Sequence, residues 1–281
     1  MQSKNKWLFK NLPTLVKVLI YLGGNYLLIF LTQFITGFLP FKGTLSFNIF
    51  LCVLLLIFTR WILKMEGMQW KSIGCIAGKG KDRLTLFYGC LVGILMLLAT
   101  ALCIKLFTGF QWQRNHAFSW FTILSSLITV FCSVFVQELA FRGYPFRLMI
   151  EKWGAWPAQL LTAFLFGLMH VTADMNLSQI LLTLLTTGAG SILFGLAVMK
   201  TNRLHLAVGL HFGWNYTQLL LPRSASQNGE GIWMVTGQNA HSPFNTLIYV
   251  APYLLVVLAA CLFIIYYKNN RSKNISLYNT N

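Results

Sequence analysis

The sequence predicts an all-α, polytopic membrane protein with about eight transmembrane helices. Of its 281 residues, 56% are hydrophobic and only 10% are charged, whereas charged residues make up about 25% of an ordinary soluble domain. The mean hydropathy is positive, and the apolar residues form runs that are long enough to cross about 30 Å of hydrocarbon as helices. These observations exclude a soluble globular domain.

Eight apolar runs approach the length of a membrane span at a rise of about 1.5 Å per residue. We predict helices at residues 12–37, 45–65, 84–108, 118–140, 156–172, 177–199, 205–221 and 245–267. The fourth helix is expected to continue to Leu148. The first run follows a basic N-terminal segment but has no small-residue cleavage site, so we interpret it as a retained span and not as a signal peptide.

The positive charges predict the orientation of these spans, because cytoplasmic loops collect Lys and Arg. With a cytoplasmic N-terminus, eighteen of the 22 Lys and Arg residues fall on one face. The other face holds only four, which are Lys42, Lys105, Arg114 and Arg223. We therefore predict that both termini are cytoplasmic. The net charge is +16. Because the basic residues flank apolar runs, we expect them to contact the lipid surface and not nucleic acid.

The remaining features concern the organisation of the chain. Its six cysteines form no Cys-x-x-Cys pair, which argues against a disulfide framework and a thiolate zinc site. Apolar residues among the lysines and glycines of residues 66–83 fit a short interfacial segment or a solvated loop: Met68, Trp70, Ile73 and Ile76. Three glycines of the sixth span are predicted to allow close helix packing: Gly188, Gly190 and Gly195.

Four regions are predicted along the chain. Residues 1–83 hold the first two spans and a cytoplasmic interfacial loop, and residues 84–221 hold the core that carries the polar groups described next. Residues 222–267 hold an external loop and the last span, and residues 268–281 form a disordered cytoplasmic tail rich in Asn, Ser and Lys.

Glu138 is the acidic residue that this fold must accommodate, because it alone of six acidic residues lies within a predicted span. An acidic group at the centre of a bilayer costs about 2.5–3.5 kcal/mol on insertion scales, so such groups face a protein interior or a wet cavity and mark function. Arg142 lies one turn later on the same helix face. The pair is either part of a functional site or a buried ion pair that fixes helix register.

Three predicted spans carry polar groups at overlapping depths. Measured from the cytoplasmic ends, the depth is about 10–12 Å for Gln137 and Glu138 and about 20 Å for His170. For His211 and Asn215 it is about 9 and 15 Å. We expect a single cavity, opening towards the cytoplasm, to collect these groups. Taken singly, His170 is equally consistent with a satisfied core group, and Asn215 with a hydrogen bond between helices.

These polar residues lie in three motifs of a known family. The stretches are Gln137-Glu138-Leu-Ala-Phe-Arg142-Gly, Phe166-Gly-Leu-Met-His170 and His211-Phe-Gly-Trp-Asn215. In order and spacing they resemble the Glu-Glu-x-x-x-Arg, Phe-x-x-x-His and His-x-x-x-Asn motifs of the CPBP (Abi) intramembrane proteases. The family includes CAAX endopeptidases and bacterial members linked to bacteriocin processing and self-immunity. The resemblance implies a peptide or membrane-protein substrate, and together with the size of the chain it favours a bacterial plasma membrane.

The resemblance also implies a role for each residue. The first motif Glu and the first motif His activate water in these proteases, and here those positions are Gln137 and His170. The second motif His and the Asn, here His211 and Asn215, stabilise the oxyanion. Orienting roles are expected for two further residues, Arg142 and Phe166. No cofactor is expected; the alternative is a zinc ion held by Glu138, His170 and His211, although the chain lacks a His-Glu-x-x-His arrangement.

Gln137 departs from the motif at its first acidic position, and a carboxamide has no useful basicity. The chain is then a Glu-to-Gln form that binds without cutting, a pseudoprotease, or an enzyme in which Glu138 or His170 is the base. We predict an intramembrane endopeptidase, impaired by Gln137, that cleaves a peptide near the cytoplasmic leaflet. The alternative is a non-catalytic membrane scaffold or bacteriocin-immunity protein that binds a partner in the same cavity. A transporter is a weaker option, because no inverted repeat is visible.

Overall fold

Helices form nearly all of the structure, a computed structural model that describes residues 9–38, 43–75, 80–237 and 245–266. The helices are α1 (Thr14–Gly37), α2 (Thr44–Glu66), α3 (Lys81–Thr108), α4 (Trp120–Arg142), α5 (Tyr144–Trp153), α6 (Ala155–Leu168), α7 (Leu177–Thr201), α8 (His205–Leu220) and α9 (Asn245–Tyr266). Strands β1 (Gln111–Arg114) and β2 (Trp233–Thr236) pair antiparallel. The predicted all-α membrane fold is confirmed.

Six helical segments of the described chain are long and apolar enough to cross a membrane. One of them, Trp120–Trp153, covers α4 and α5 over 34 residues, but the helix is interrupted at Gly143, so the predicted single helix to Leu148 is two helices. The fifth and seventh predicted spans are α6 and α8, with 14 and 16 residues. At about 21 and 24 Å these helices are shorter than a hydrocarbon core of about 30 Å. Eight crossings are therefore not confirmed.

The lysine-rich loops lie together on one side of the helix bundle, which we call the basic face: the α2–α3, α5–α6 and α7–α8 connections. The backbone N–H of Leu204 donates to the carbonyl of Gly74 at 3.0 Å. Arg147 of α5 donates to Asn202 after α7. These contacts join the loops that the alternation of spans assigns to one side of the membrane.

A second set of connections forms the opposite side, which we call the sheet face: β1, β2 and residues 221–232. Trp112 Nε1 donates to the carbonyl of Pro222 at 2.9 Å. Asn115 Nδ2 donates to the carbonyl of Gly231 at 2.9 Å. The strand pairing and these bonds hold the α3–α4 and α8–α9 connections together, as expected for loops on the other side of the membrane.

The predicted interfacial segment contains one short turn, the 3₁₀ helix Trp70–Ile73. Ile73 is completely buried in the main hydrophobic core. This residue therefore packs into the protein and does not lie on a membrane surface. Ile76 and the predicted tail at residues 268–281 lie outside the described residues.

Helices α3 and α8 pack backbone against backbone through facing glycines. A Cβ atom at Gly89 would lie 2.8 Å from the carbonyl oxygen of Leu206, and one at Gly209 would lie 2.9 Å from the Cα of Gly89. Gly93 and Gly213 repeat this contact one turn along each helix. The Gly-x-x-x-Gly spacing on both helices places small residues on one face and lets the backbones approach. This interface holds α8 in place, and α8 carries His211 and Asn215.

The glycines singled out on α7 have mixed roles. A Cβ atom at Gly190 would lie 2.9 Å from the hydroxyl of Tyr253, and one at Gly195 would overlap the side chain of Gln159. At Gly188 it would meet only an ordinary contact at 3.8 Å. The predicted close packing is confirmed for Gly190 and Gly195.

Candidate active site

Glu138 and Arg142 are completely buried on adjacent turns of α4. Arg142 Nη1 donates to Glu138 Oε1 at 2.9 Å, as the four-residue spacing on a helix allows. Arg142 Nη2 donates to the hydroxyl of Ser191 on α7 at 2.5 Å. The guanidinium carbon also lies 4.6 Å from the ring centre of Phe166 and 5.3 Å from that of Phe194. Arg142 therefore joins α4, α6 and α7 around the carboxylate.

His211 of α8 contacts the same carboxylate oxygen. Its Nδ1 atom lies 2.8 Å from Glu138 Oε1, and its ring stacks on Phe194 with ring centres 4.5 Å apart. An ionised carboxylate accepts hydrogen bonds and donates none, so the Nδ1 atom carries the proton. The carboxylate therefore fixes the orientation of the ring and leaves Nε2 available for chemistry.

His170 follows the end of α6 and also contacts the Phe166 ring. The Phe166 ring centre is 4.9 Å from the ring of His170 and 6.0 Å from the ring of His211. His170 Nδ1 lies 2.8 Å from the backbone carbonyl oxygen of Phe166. Because this oxygen can only accept, Nδ1 carries the proton and the neutral ring has a free lone pair on Nε2. The two histidines thus lie around one phenylalanine.

A cavity of about 760 Å³ begins at these imidazoles, and its wall includes His170, His211 and Asn215. The four-residue spacing on α8 puts His211 and Asn215 on one face of the helix. The lining continues to Arg223 and Gln227 on the sheet face and includes no described residue of the basic-face loops. The expected opening towards the cytoplasm and the expected cytoplasmic position of the lysine-rich loops therefore do not both hold.

Gln137 does not join this cluster through a hydrogen bond. Its Nε2 atom donates to Ser133 Oγ on the same helix at 3.3 Å. Its Oε1 atom is buried and has no hydrogen-bond partner among the described residues. Gln137 precedes Glu138 by one residue, about 100° around the helix, so the two side chains point in different directions.

Glu138, His170 and His211 are the residues of the alternative zinc site. In the described ranges, no three side chains of His, Cys, Asp or Glu are grouped so that they could hold a metal ion. The Oε1 atom of Glu138 is instead bonded to Arg142 and His211.

Two residues of the cluster were missed in the sequence. Ser191 holds Arg142, and Phe194 stacks on His211. A serine beside three glycines in an apolar span was a possible signal for Ser191, because polar groups in such spans form bonds between helices. Phe194 gives no signal, since it is one of 23 phenylalanines.

A bundle of apolar helices that holds a carboxylate, two imidazoles and a carboxamide beside a cavity is a candidate functional site of a membrane protein. The comparison with protein families adds one match. Residues 118–217 match the family described as type II CAAX prenyl endopeptidase Rce1-like, which agrees with the resemblance to CPBP proteases over this part of the chain. The matched segment runs from the start of α4 into α8 and contains all three motifs. No curated protein matches the chain.

Proposed function

We propose that the protein is an intramembrane endopeptidase that hydrolyses a peptide bound in the cavity beside α6, α7, α8 and α9. The observation that carries this proposal is the contact between Glu138 and His211, with His170 across the shared ring of Phe166. A buried carboxylate bonded to an imidazole at a cavity wall is expensive in a membrane and is therefore a candidate for catalysis.

His170 is the proposed general base. Its Nδ1 proton is engaged by the carbonyl of Phe166, so its Nε2 atom can take a proton from a water molecule that attacks the peptide carbonyl. The same proton can then pass to the leaving amine. A positioned acid or base of this kind contributes about 10²–10⁴-fold to the rate.

His211 and Asn215 are the proposed donors to the oxyanion. The Nδ1–H group of His211 donates a hydrogen bond to Glu138. When Nε2 also carries a proton, the carboxylate compensates the positive charge of the imidazolium. The Asn215 side chain supplies a neutral N–H donor on the same wall of the cavity. Donors that are fixed before the reaction stabilise the negative charge that develops on the carbonyl oxygen.

Gln137 makes the proposed enzyme slow. A carboxamide holds water by hydrogen bonds but does not accept its proton. The buried Oε1 atom of Gln137, which has no partner among the described residues, marks the position where the family motif has a carboxylate. Glu138 does not replace that carboxylate, because it is already bonded to Arg142 and His211.

We propose that hydrolysis proceeds without a metal ion. Arg142 and His211 both contact Oε1 of Glu138, which supports this proposal because that oxygen is already engaged. Treatment with a chelator should then leave cleavage unchanged. We further propose that the membrane is a bacterial plasma membrane with both termini on the cytoplasmic side, supported by the grouping of the lysine-rich loops. In that orientation the peptide reaches the cavity from the sheet face.

The test compares peptide cleavage by the purified chain and three variants. The substrate is a quenched fluorescent peptide with a CAAX end, with and without a prenyl group. His170→Ala should lower cleavage about 100-fold or more, and Gln137→Glu should raise it about tenfold or more. His116→Ala changes an exposed histidine outside the cavity and should have no effect. No cleavage by either the wild type or Gln137→Glu would contradict the proposed activity.

A non-catalytic scaffold or immunity protein is the second candidate, and the carboxamide at position 137 favours it. The same cavity would then bind a peptide or a partner protein without cutting it. Exchange of His170 and His211 to Ala together separates the two functions in cells. A cellular phenotype that survives this double change supports the scaffold, whereas its loss together with peptide cleavage supports the peptidase.

A further inference from the structure

Arg223 lies at the sheet-face end of the cavity and is the only Lys, Arg, Asp or Glu among the described residues that line it. Its Nη2 atom donates to Gln218 Oε1 at 2.8 Å, and its guanidinium carbon lies 5.1 Å from the ring centre of Trp214. Its backbone N–H donates to Gln227 Oε1 at 3.1 Å. The side chain is thus held in place by neutral groups.

No acidic residue of the described chain forms an ion pair with Arg223. Its Nε atom is buried and has no hydrogen-bond partner among the described residues. Burial lowers the pKa of this guanidinium to about 10, which still leaves it positively charged at neutral pH. Arg223 is partly buried, and a cation that has lost part of its hydration without gaining a counter-ion among the described residues is costly. An anion in the cavity would relieve that cost.

The position of Arg223 relative to the histidines limits what this anion can be. Gln218, which holds Arg223, follows His211 by seven residues on α8, a distance of about 10 Å along the helix axis. An extended peptide covers about 3.3–3.6 Å per residue. About three residues therefore fit between a carbonyl group at the histidines and a group that contacts the guanidinium.

We propose that Arg223 binds the C-terminal carboxylate of the peptide that occupies the cavity. The inference rests on the proposed function for the identity of the peptide as substrate. A guanidinium presents N–H donors in a planar fork that matches a carboxylate, and such charged hydrogen bonds are stronger than neutral ones. Nε–H has no partner among the described residues. It lies on the same edge of the guanidinium as one N–H of Nη2, and Nη2 can donate its other hydrogen to Gln218.

The test measures binding and cleavage separately. An N-terminally labelled peptide with three aliphatic residues at its end is prepared with a free C-terminal carboxylate and as the C-terminal amide. Affinity is measured by fluorescence anisotropy in neutral detergent for the wild type, Arg223→Gln, Arg223→Lys and Arg114→Gln. Arg114 is an exposed residue of the same face outside the cavity lining, so its exchange controls for the loss of one positive charge.

The wild type should bind the acid about tenfold or more tightly than the amide, because a hydrogen-bonded charge pair is removed in the amide. This preference should disappear in Arg223→Gln, persist in part in Arg223→Lys, and remain unchanged in Arg114→Gln. Equal affinity of the wild type for acid and amide overturns the proposal, and so does an unchanged preference in a folded Arg223→Gln protein. The comparison within the wild type needs no variant, so it stands even if Arg223→Gln does not fold.

Two further outcomes separate this inference from others. If the acid and the amide bind and are cleaved equally well, the Arg223 proposal is wrong and the proposed peptidase activity stands. If the acid binds more tightly but neither peptide is cleaved, the Arg223 proposal stands and the proposed peptidase activity is wrong. The binding measurement is repeated in phosphatidylcholine and phosphatidylglycerol vesicles. If phosphatidylglycerol displaces the peptide from the wild type but not from Arg223→Gln, Arg223 binds a lipid phosphate and the proposal is overturned.

Discussion

The Nδ1 atom of His211 lies 2.8 Å from Oε1 of Glu138, although the two residues are 73 positions apart in the chain. The same oxygen accepts a hydrogen bond from Arg142 at 2.9 Å. One carboxylate oxygen therefore positions an imidazole of α8 and neutralises a cation of α4. Removal of the negative charge should affect catalysis and stability together.

Exchange of Glu138 for Gln tests this double role. We expect peptide cleavage to fall about 10²–10⁴-fold, because the neutral amide no longer compensates a positive charge on His211. Loss of one partner of a buried ion pair costs about 3–5 kcal/mol, since Arg142 remains buried and unpaired. Thermal unfolding in detergent measures the second effect. Glu151→Gln, which changes an exposed acidic residue of α5, is the control, and equal behaviour of the two variants would argue against the role of Glu138.

Exchange of Asn215 for Ala tests the oxyanion donor. Removal of one such donor costs about 2.7–4 kcal/mol in the transition state, which corresponds to about 10²–10³-fold in kcat. KM should change little, because the bond forms only as charge develops on the carbonyl oxygen. Asn25→Ala removes an amide that donates to the backbone carbonyl of Tyr21 on the same helix, α1, and should retain normal kinetics. A rise in KM with an unaltered kcat would show that Asn215 binds substrate and is not an oxyanion donor.

The glycine interface between α3 and α8 can be tested with a single methyl group. A Cβ atom at Gly93 would lie 2.9 Å from the backbone nitrogen of Trp214 and would overlap the carbonyl of Leu210. We expect Gly93→Ala to destabilise the fold by about 1–3 kcal/mol, as is typical for overpacking. Gly23→Ala on α1 adds the same group where no atom lies within 4 Å. Equal unfolding temperatures for the two variants would contradict backbone-to-backbone packing.

The orientation in the membrane can be tested with an impermeant maleimide on intact cells. Lys152→Cys places a thiol on the basic face and Ser226→Cys places one at the sheet-face end of the cavity; both positions are exposed. We expect Ser226→Cys to be labelled from outside and Lys152→Cys only after permeabilisation. Burial raises the pKa of the native Cys75 thiol to about 11, which keeps this cysteine of the basic face unreactive. The reverse labelling pattern would place the lysine-rich loops outside.

The sequence was sufficient for features that depend on one residue or one segment. Long apolar runs predicted the helices, and the cost of a carboxylate in a membrane singled out Glu138. The spacing of Glu138 and Arg142 correctly placed them on one face of α4. His170 and His211 were predicted to share a cavity, and they line one.

Features that depend on contacts between helices were not predictable in the same way. The prediction for α8 agrees with the structure to within one residue, whereas α6 ends at Leu168 and not at residue 172. Gly89 and Gly209 stand out only when α3 and α8 are seen side by side. The side on which the cavity opens depends on the loop after α8, and Arg223 acquires its position there from Gln218 and Trp214.

The facing glycines of α3 and α8 determine which wall of the cavity can be changed by mutation. One flank of α8 is fixed by main-chain contact, so the smallest possible enlargement there moves both His211 and Asn215. The opposite wall is formed by side chains of α7 and α9, among them Thr187 and Val250, which can be exchanged without shifting that helix. Libraries for new substrates should therefore vary the α7 and α9 wall and leave every glycine of the α3–α8 seam untouched.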